Sequence, residues 1–394
     1  LDLSESTVSA NGGEAGNGGT ITLTYSSSDE LPVNNVSATS GTATTGTISI
    51  INHSTSDMIV AISGSLDTSS STSSEASGSL ILNVDDSETD SISLSIEENG
   101  SFKSILTATA ASINVSSLAA IDLGLEDVVS TIGDINICLD SEDLCSLALA
   151  RREGHKSLED SASTITNFGN VSSAQDLVKS ARKIVLKHLT QAERNISFKT
   201  STLTLDAQLS ANHGTVTITA FGSGSDTDDL IIKGSAASIV ANAPEEVNAI
   251  SFLVPPSGTD GNLVIQDPLV LNSGASGVAL TAGVSSTSDT VPDNSTSRIQ
   301  FDEDVSILST TVLLAAPQIV NNTDVTVTLE EGSVAQVSTY YVTNRGVMDG
   351  QKWQLLNGSM EIDGGGTISA YTGGNVLFAF NNDSLPSAYL HIID

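Results

Sequence analysis

Short runs of alternating apolar and polar residues recur along the chain, each led by a glycine: GTITLT from Gly19, GTISII from Gly46, GSLILN from Gly78, GTVTIT from Gly214, GNLVIQ from Gly261, GVALTA from Gly277, GTISAY from Gly366 and GNVLFA from Gly374. Alternation places every second side chain on the same side of an extended backbone, so each run predicts a half-buried strand with a glycine at the corner that leads into it. Between Asp304 and Leu329 the apolar runs begin at Val305, Val312, Ile319 and Val325. Three such steps sum to about 20 residues, a solenoid period. Hairpins of a sandwich more often repeat at about 8 to 12 residues with tight Asn-Gly or Asp-Gly turns, whereas the connectors here are rich in Ser, Thr, Asn and Ala. The pattern therefore predicts a mainly β fold, a parallel β-helix, with β-sandwich repeats as the alternative.

Composition sharpens this picture. The 394 residues are 39% hydrophobic but only 4% aromatic. That is enough apolar side chain for a core, and it implies a core of small aliphatic residues in thin stacked layers rather than one packed around large rings. The formal charge is −33, from 47 acidic and 14 basic residues. Such a field repels nucleic acid and anionic membranes and attracts divalent cations. No apolar run is long enough to cross a bilayer, and no basic segment followed by an apolar stretch opens the chain. The opening at Leu1 rather than Met reads as a mature product or an excised fragment.

The stretches TLTLDAQLSANHGTVTITAFGSGSD (202–226), PLVLNSGASGVALTAG (268–283) and GGGTISAYTGGNVLFAFNN (364–382) resemble the repeat region of filamentous-haemagglutinin-type large exoproteins. The likeness is one of composition and period and covers most of 1–125 and 200–382. It implies a right-handed β-helix exported by a Gram-negative bacterium to its surface or surroundings, acting in adhesion and biofilm cohesion. The Asn-Pro-Asn-type secretion motif near the N-terminus of such proteins is absent here, which leaves the export route open.

The alternation is interrupted between 126 and 198, dividing the chain into a first β-solenoid part (1–125), an insertion (126–198) and a second β-solenoid part with a C-terminal edge strand (199–394). In the insertion, Leu177, Ala181, Ile184, Val185 and His188 recur at helical spacing behind a Ser173/Asp176 capping box, which predicts an amphipathic helix over 174–194. A shorter helix is expected from about Glu142 to Arg152. Cys138 and Cys145 can close a small disulfide ring in an oxidising compartment. Eight of the basic residues lie between Arg151 and Arg194. Lys179, Arg182, Lys183 and Lys187 then fall on the polar side of the helix, either as a solvated face or as a contact for the acidic surface of a neighbouring subunit. His188 is expected to pack at the core or its boundary.

Recognisable catalytic chemistry is sparse. The five histidines show no metal-ligand spacing, and neither a nucleophile elbow nor a phosphate loop occurs. A β-helical polysaccharide lyase or glycosidase would need clustered carboxylates with a basic residue on one facet, and no short motif pairs them. Acid-rich turns, notably Asp226, Asp228 and Asp229, offer oxygens for Ca2+ or are simply solvated. Tyr340, Tyr341 and Trp353 form the one aromatic cluster that a glycan-binding facet could use. The C-terminal SAYLHIID (387–394) reads as a strand that either joins a neighbouring subunit or pairs within its own chain. The function expected is that of an extracellular structural subunit of a surface filament, sheath or adhesive layer, with itself and cell-surface glycans as partners. A glycan-binding adhesin module and a polysaccharide-active enzyme are the alternatives.

Overall fold

The computed structural model describes residues 2–13, 16–41, 45–70, 78–139, 163–223, 226–227, 229–235, 237–243, 248–256, 261–284, 296–362, 367–378 and 390–392. Among them there is no helix, and apart from a two-stranded antiparallel ribbon at Gly222–Ser223 and Asp226–Thr227 every ladder is parallel. Parallel strands need a crossover between partners. Here the crossover is the rest of a coil, which makes the fold a parallel β-helix and excludes the sandwich. The chain divides into two compact units, Leu1–Glu193 and Arg194–Asp394.

In the first unit, the recurring glycine-led runs lie directly on top of one another. Thr20–Tyr25 pairs with Thr47–Asn52, which pairs with Ser79–Val84, which pairs with Ile105–Ala110. The register stacks Ile21, Ile48, Leu80 and Leu106 in one inward column and Leu23, Ile50, Leu82 and Ala108 in the next. Ile48, Ile50, Leu80, Leu82 and Leu106 are fully buried. The glycines are required by the corners: a Cβ on Gly46 would overlap the carbonyl oxygen of Ala38, and one on Gly78 that of Thr68.

A second face of this unit stacks Met58–Ile62, Ile92–Ile96, Ile113–Ser117, Ile135–Cys138 and Leu177–Ser180. The first face continues from Ile105–Ala110 to Asp122–Ser130, then to Thr164–Asn167 and Lys183–Leu186. Where coils carry no long loop, as from Thr164 to Lys183 or from Val171 to Thr190, one turn takes about 20 residues.

The helix expected over 174–194 is not formed. That segment is the strands Leu177–Ser180, Lys183–Leu186 and Thr190–Ala192. The inward residues are 177, 179, 181, 184 and 186. Two short alternating runs separated by a corner thus reproduce a spacing of three to four, which imitates a helical face. The second expected helix, near Glu142 to Arg152, falls outside the described residues.

The second unit repeats the design. Phe198, Ile218, Phe252, Leu280, Leu314 and Val337 form one inward column. Ile299, Ile319 and Val342 form another, and the backbone register continues through Met360 and Leu390. The C-terminal strand Leu390–Ile392 therefore pairs with Val347–Ile362 of its own chain. Asn321 and Asn344 stack in a buried position, where Nδ2 of Asn321 donates to Oδ1 of Asn344 at 2.8 Å. The same Nδ2 also donates to the carbonyls of Val325 and Val347, so the amide nitrogen is satisfied within the core, whereas Oδ1 of Asn321 is buried without a partner.

Candidate functional site

The basic residues of 179–187 do not share one exposed face. Strand alternation turns Leu177 and Lys179 inward, so Lys179 takes the place held in the coils beneath by Val60, Leu94, Val115 and Ile137. It is fully buried and is corrected here from surface contact to core. Its Nζ donates to Oδ1 of Asn167 at 2.7 Å, and Nδ2 of Asn167 donates to Oγ1 of Thr190, also at 2.7 Å. Asn167 itself interrupts the column Leu125, Asn167, Leu186. Two polar side chains that replace aliphatic ones in the same coil thus meet across the lumen. Burial disfavours the ammonium form and lowers the pKa of Lys179 to about 7.

Lys183 and Lys187 are exposed and Arg182 half-buried. His188 is also exposed, contrary to the expectation of a packed residue. Lys183, Val185 and Lys187 point outward from one strand by alternation. The register sets Asp122, Thr164 and Lys183 in one row across three strands, and Gly124, Thr166 and Val185 in the next. Phe168 closes the far end, with the Lys187 ammonium 4.6 Å from its ring centroid. These residues, with Leu123, line a cavity of about 270 Å3.

The middle row forms the floor because its side chains are short. A Cβ on Gly124 would come within 3.2 Å of the Phe168 ring and 3.0 Å of the Ile105 side chain, so glycine is what allows the ring to lie against the strand. Neither lysine is in an ion pair with a carboxylate among the described residues. The groove was not foreseen from the sequence. Its signal, the outward series Lys183, Val185, Lys187 beside Thr164 and Thr166, emerges only once the segment is known to be strand.

The other candidates do not assemble a site. Trp353 is 4% exposed and its indole nitrogen is buried without a partner, so it cannot present a ring to a glycan. Tyr340 and Tyr341 lie in the strand Val334–Asn344, but their side chains are outside the described set. Of the acidic turn, Asp226 is in the small ribbon and Asp229 accepts from the backbone and side-chain nitrogens of Asn262 at 2.8 and 2.9 Å, while Asp228 is outside the described residues. Among the described residues no group of His, Cys, Asp or Glu converges to hold a metal ion. Cys138 is buried at the end of its strand, and no free cysteine stands among the described residues; Cys145 lies outside them.

One further feature is an edge. Leu3–Ser9 pairs only with Leu31–Ser37, and Thr20–Tyr25 only with Thr47–Asn52, so among the described residues each has a ladder on one side alone. Ile21 and Tyr25 are buried there.

No protein-family model, no curated protein and no solved structure matches the chain.

Proposed function

We propose that the chain is an extracellular structural subunit of a bacterial surface filament, sheath or adhesive layer, extended by the addition of further coils at an open sheet edge. The observation that carries this reading is the stack of parallel coils in exact register, each laying the same inward aliphatic columns on the last. A stack of this kind is extended by any coil that offers matching backbone donors and acceptors to its terminal strand. The occupant proposed is another copy of this chain, whose coils have the same width and the same inward aliphatic columns. The exoprotein-like texture supports secretion to a bacterial surface, and a charge of −33 is that of a chain kept soluble by self-repulsion until its edges meet. In an oxidising exterior Cys138 pairs with Cys145 and ties off the segment between them. Cell-surface glycans are the second partner, and the basic groove is the feature that favours them.

Proline tests the edge because it removes one backbone donor. Successive residues of a parallel strand direct their N–H groups to opposite sides, so of Thr22→Pro and Leu23→Pro one strikes the open side and the other the internal ladder. Sedimentation should show concentration-dependent assembly of the wild type. It should be lost in the variant that keeps its strand circular dichroism. A wild type that sediments as a monomer at every concentration overturns the proposal.

A further inference from the structure

We propose that the groove between Asp122, Thr164, Phe168, Lys183 and Lys187 binds a short acidic oligosaccharide of the uronic-acid class. This inference stands apart from assembly, since it concerns the outward side of the coil wall rather than an edge.

The argument begins with charge. On a chain with 47 acidic residues and 14 basic ones, two lysines project from one strand into one cavity without a carboxylate partner among the described residues. A ligand carboxylate would give each ammonium a charge-assisted hydrogen bond that the protein itself does not provide there.

Spacing sets the kind of anion. Four residues of extended strand place the Lys183 and Lys187 backbones about 13 Å apart, and two strand spacings place Asp122 about 10 Å from Lys183. A single phosphate or sulfate cannot span that distance, whereas an extended chain of two or more sugar rings can. Nucleic acid is the poorer occupant: a duplex brings a charge about every 1.7 Å into the field of a strongly acidic protein.

The remaining lining suits sugar. The Thr164 and Thr166 hydroxyls both donate and accept, and the Asp122 carboxylate accepts, which matches ring hydroxyls that do both. The floor of Gly124 and Val185 with the Phe168 wall gives an apolar surface for the C–H face of a ring. The Lys187 ammonium over Phe168 is held near the far end of the cavity, so the second cation is positioned before a ligand arrives.

The test is calorimetric titration of the full chain with a galacturonic-acid trisaccharide, using a neutral glucose trisaccharide and free galacturonate as comparisons. The wild type should bind the acidic trisaccharide at least tenfold more tightly than either comparison. Lys183→Ala/Lys187→Ala should lose at least tenfold with circular dichroism unchanged, and Phe168→Ala should weaken binding. Lys233→Ala, which removes one charge from a strand elsewhere, should leave binding as it is. No binding by the wild type, equal binding by the double variant, or an equal loss in Lys233→Ala would each overturn the proposal. Should the double variant leave binding absent as in wild type but alter sedimentation, the groove is a contact between copies and the saccharide site is refuted, while assembly stands.

Discussion

Lys179→Met is the most revealing single change in this core. The position belongs to a column whose other members are Val60, Leu94, Val115 and Ile137, so an unbranched apolar side chain of similar length fits it. In the native coil the lysine pKa falls from 10.5 to about 7. The unfolded chain, which keeps the ordinary value, therefore binds more protons between those two limits, and wild-type stability must rise with pH across that window. At about 1.36 kcal/mol per unit, the gain from pH 7 to 10.5 is at most about 5 kcal/mol. Methionine removes this dependence but leaves Oδ1 of Asn167 without the Lys179 donor, a cost of about 1–3 kcal/mol at any pH. The two effects oppose each other. The variant should be the more stable protein at pH 6, by about 2–4 kcal/mol, and the less stable one above pH 10. Urea unfolding followed by far-UV circular dichroism at pH 6, 8 and 10 measures the crossing. A stability difference between the two proteins that does not change with pH would refute the reasoning.

Two further outcomes follow from the coil geometry. Gly46→Val should cost about 3 kcal/mol in urea unfolding because its side chain would overlap the Ala38 carbonyl, whereas Gly13→Ala, with open space around it, should change stability by less than about 0.5 kcal/mol; equal effects at the two positions would contradict the stacked register. Thiol titration of the denatured, unreduced chain should find no free thiol, and Cys145→Ser should lower stability by about 2 kcal/mol, as expected for a small loop; two titratable thiols would remove the proposed disulfide.

Much of the architecture was legible because the repeat is written in the residues that build it. Ile21, Ile48 and Leu80 recur behind their glycines since each must lie above the last, and a period of about 20 residues is the perimeter of a coil that carries no long loop, as from Thr164 to Lys183. The segment 174–194 misled because alternation restarts at each corner. Placing inward residues at 177, 179, 181, 184 and 186 satisfies a triangular coil and imitates a helix at once. Reading it as a helix put Lys179 outside and hid Asn167, its partner across the lumen. The groove was illegible for a different reason. Its lining comes from 122–124, 164–168 and 183–187, which only the register brings side by side. Trp353 shows the converse limit: an aromatic residue near two tyrosines in sequence suggested a surface, yet alternation sends it inward to stack on Ala335.

Electron microscopy of the purified chain, across a concentration series, tests most directly the claim that this β-helix extends itself through its edge. The account predicts particles joined end to end, lengthening with concentration, with the inter-strand spacing of about 4.8 Å continuing along the particle axis through each junction. Separate single-chain particles at every concentration would contradict it.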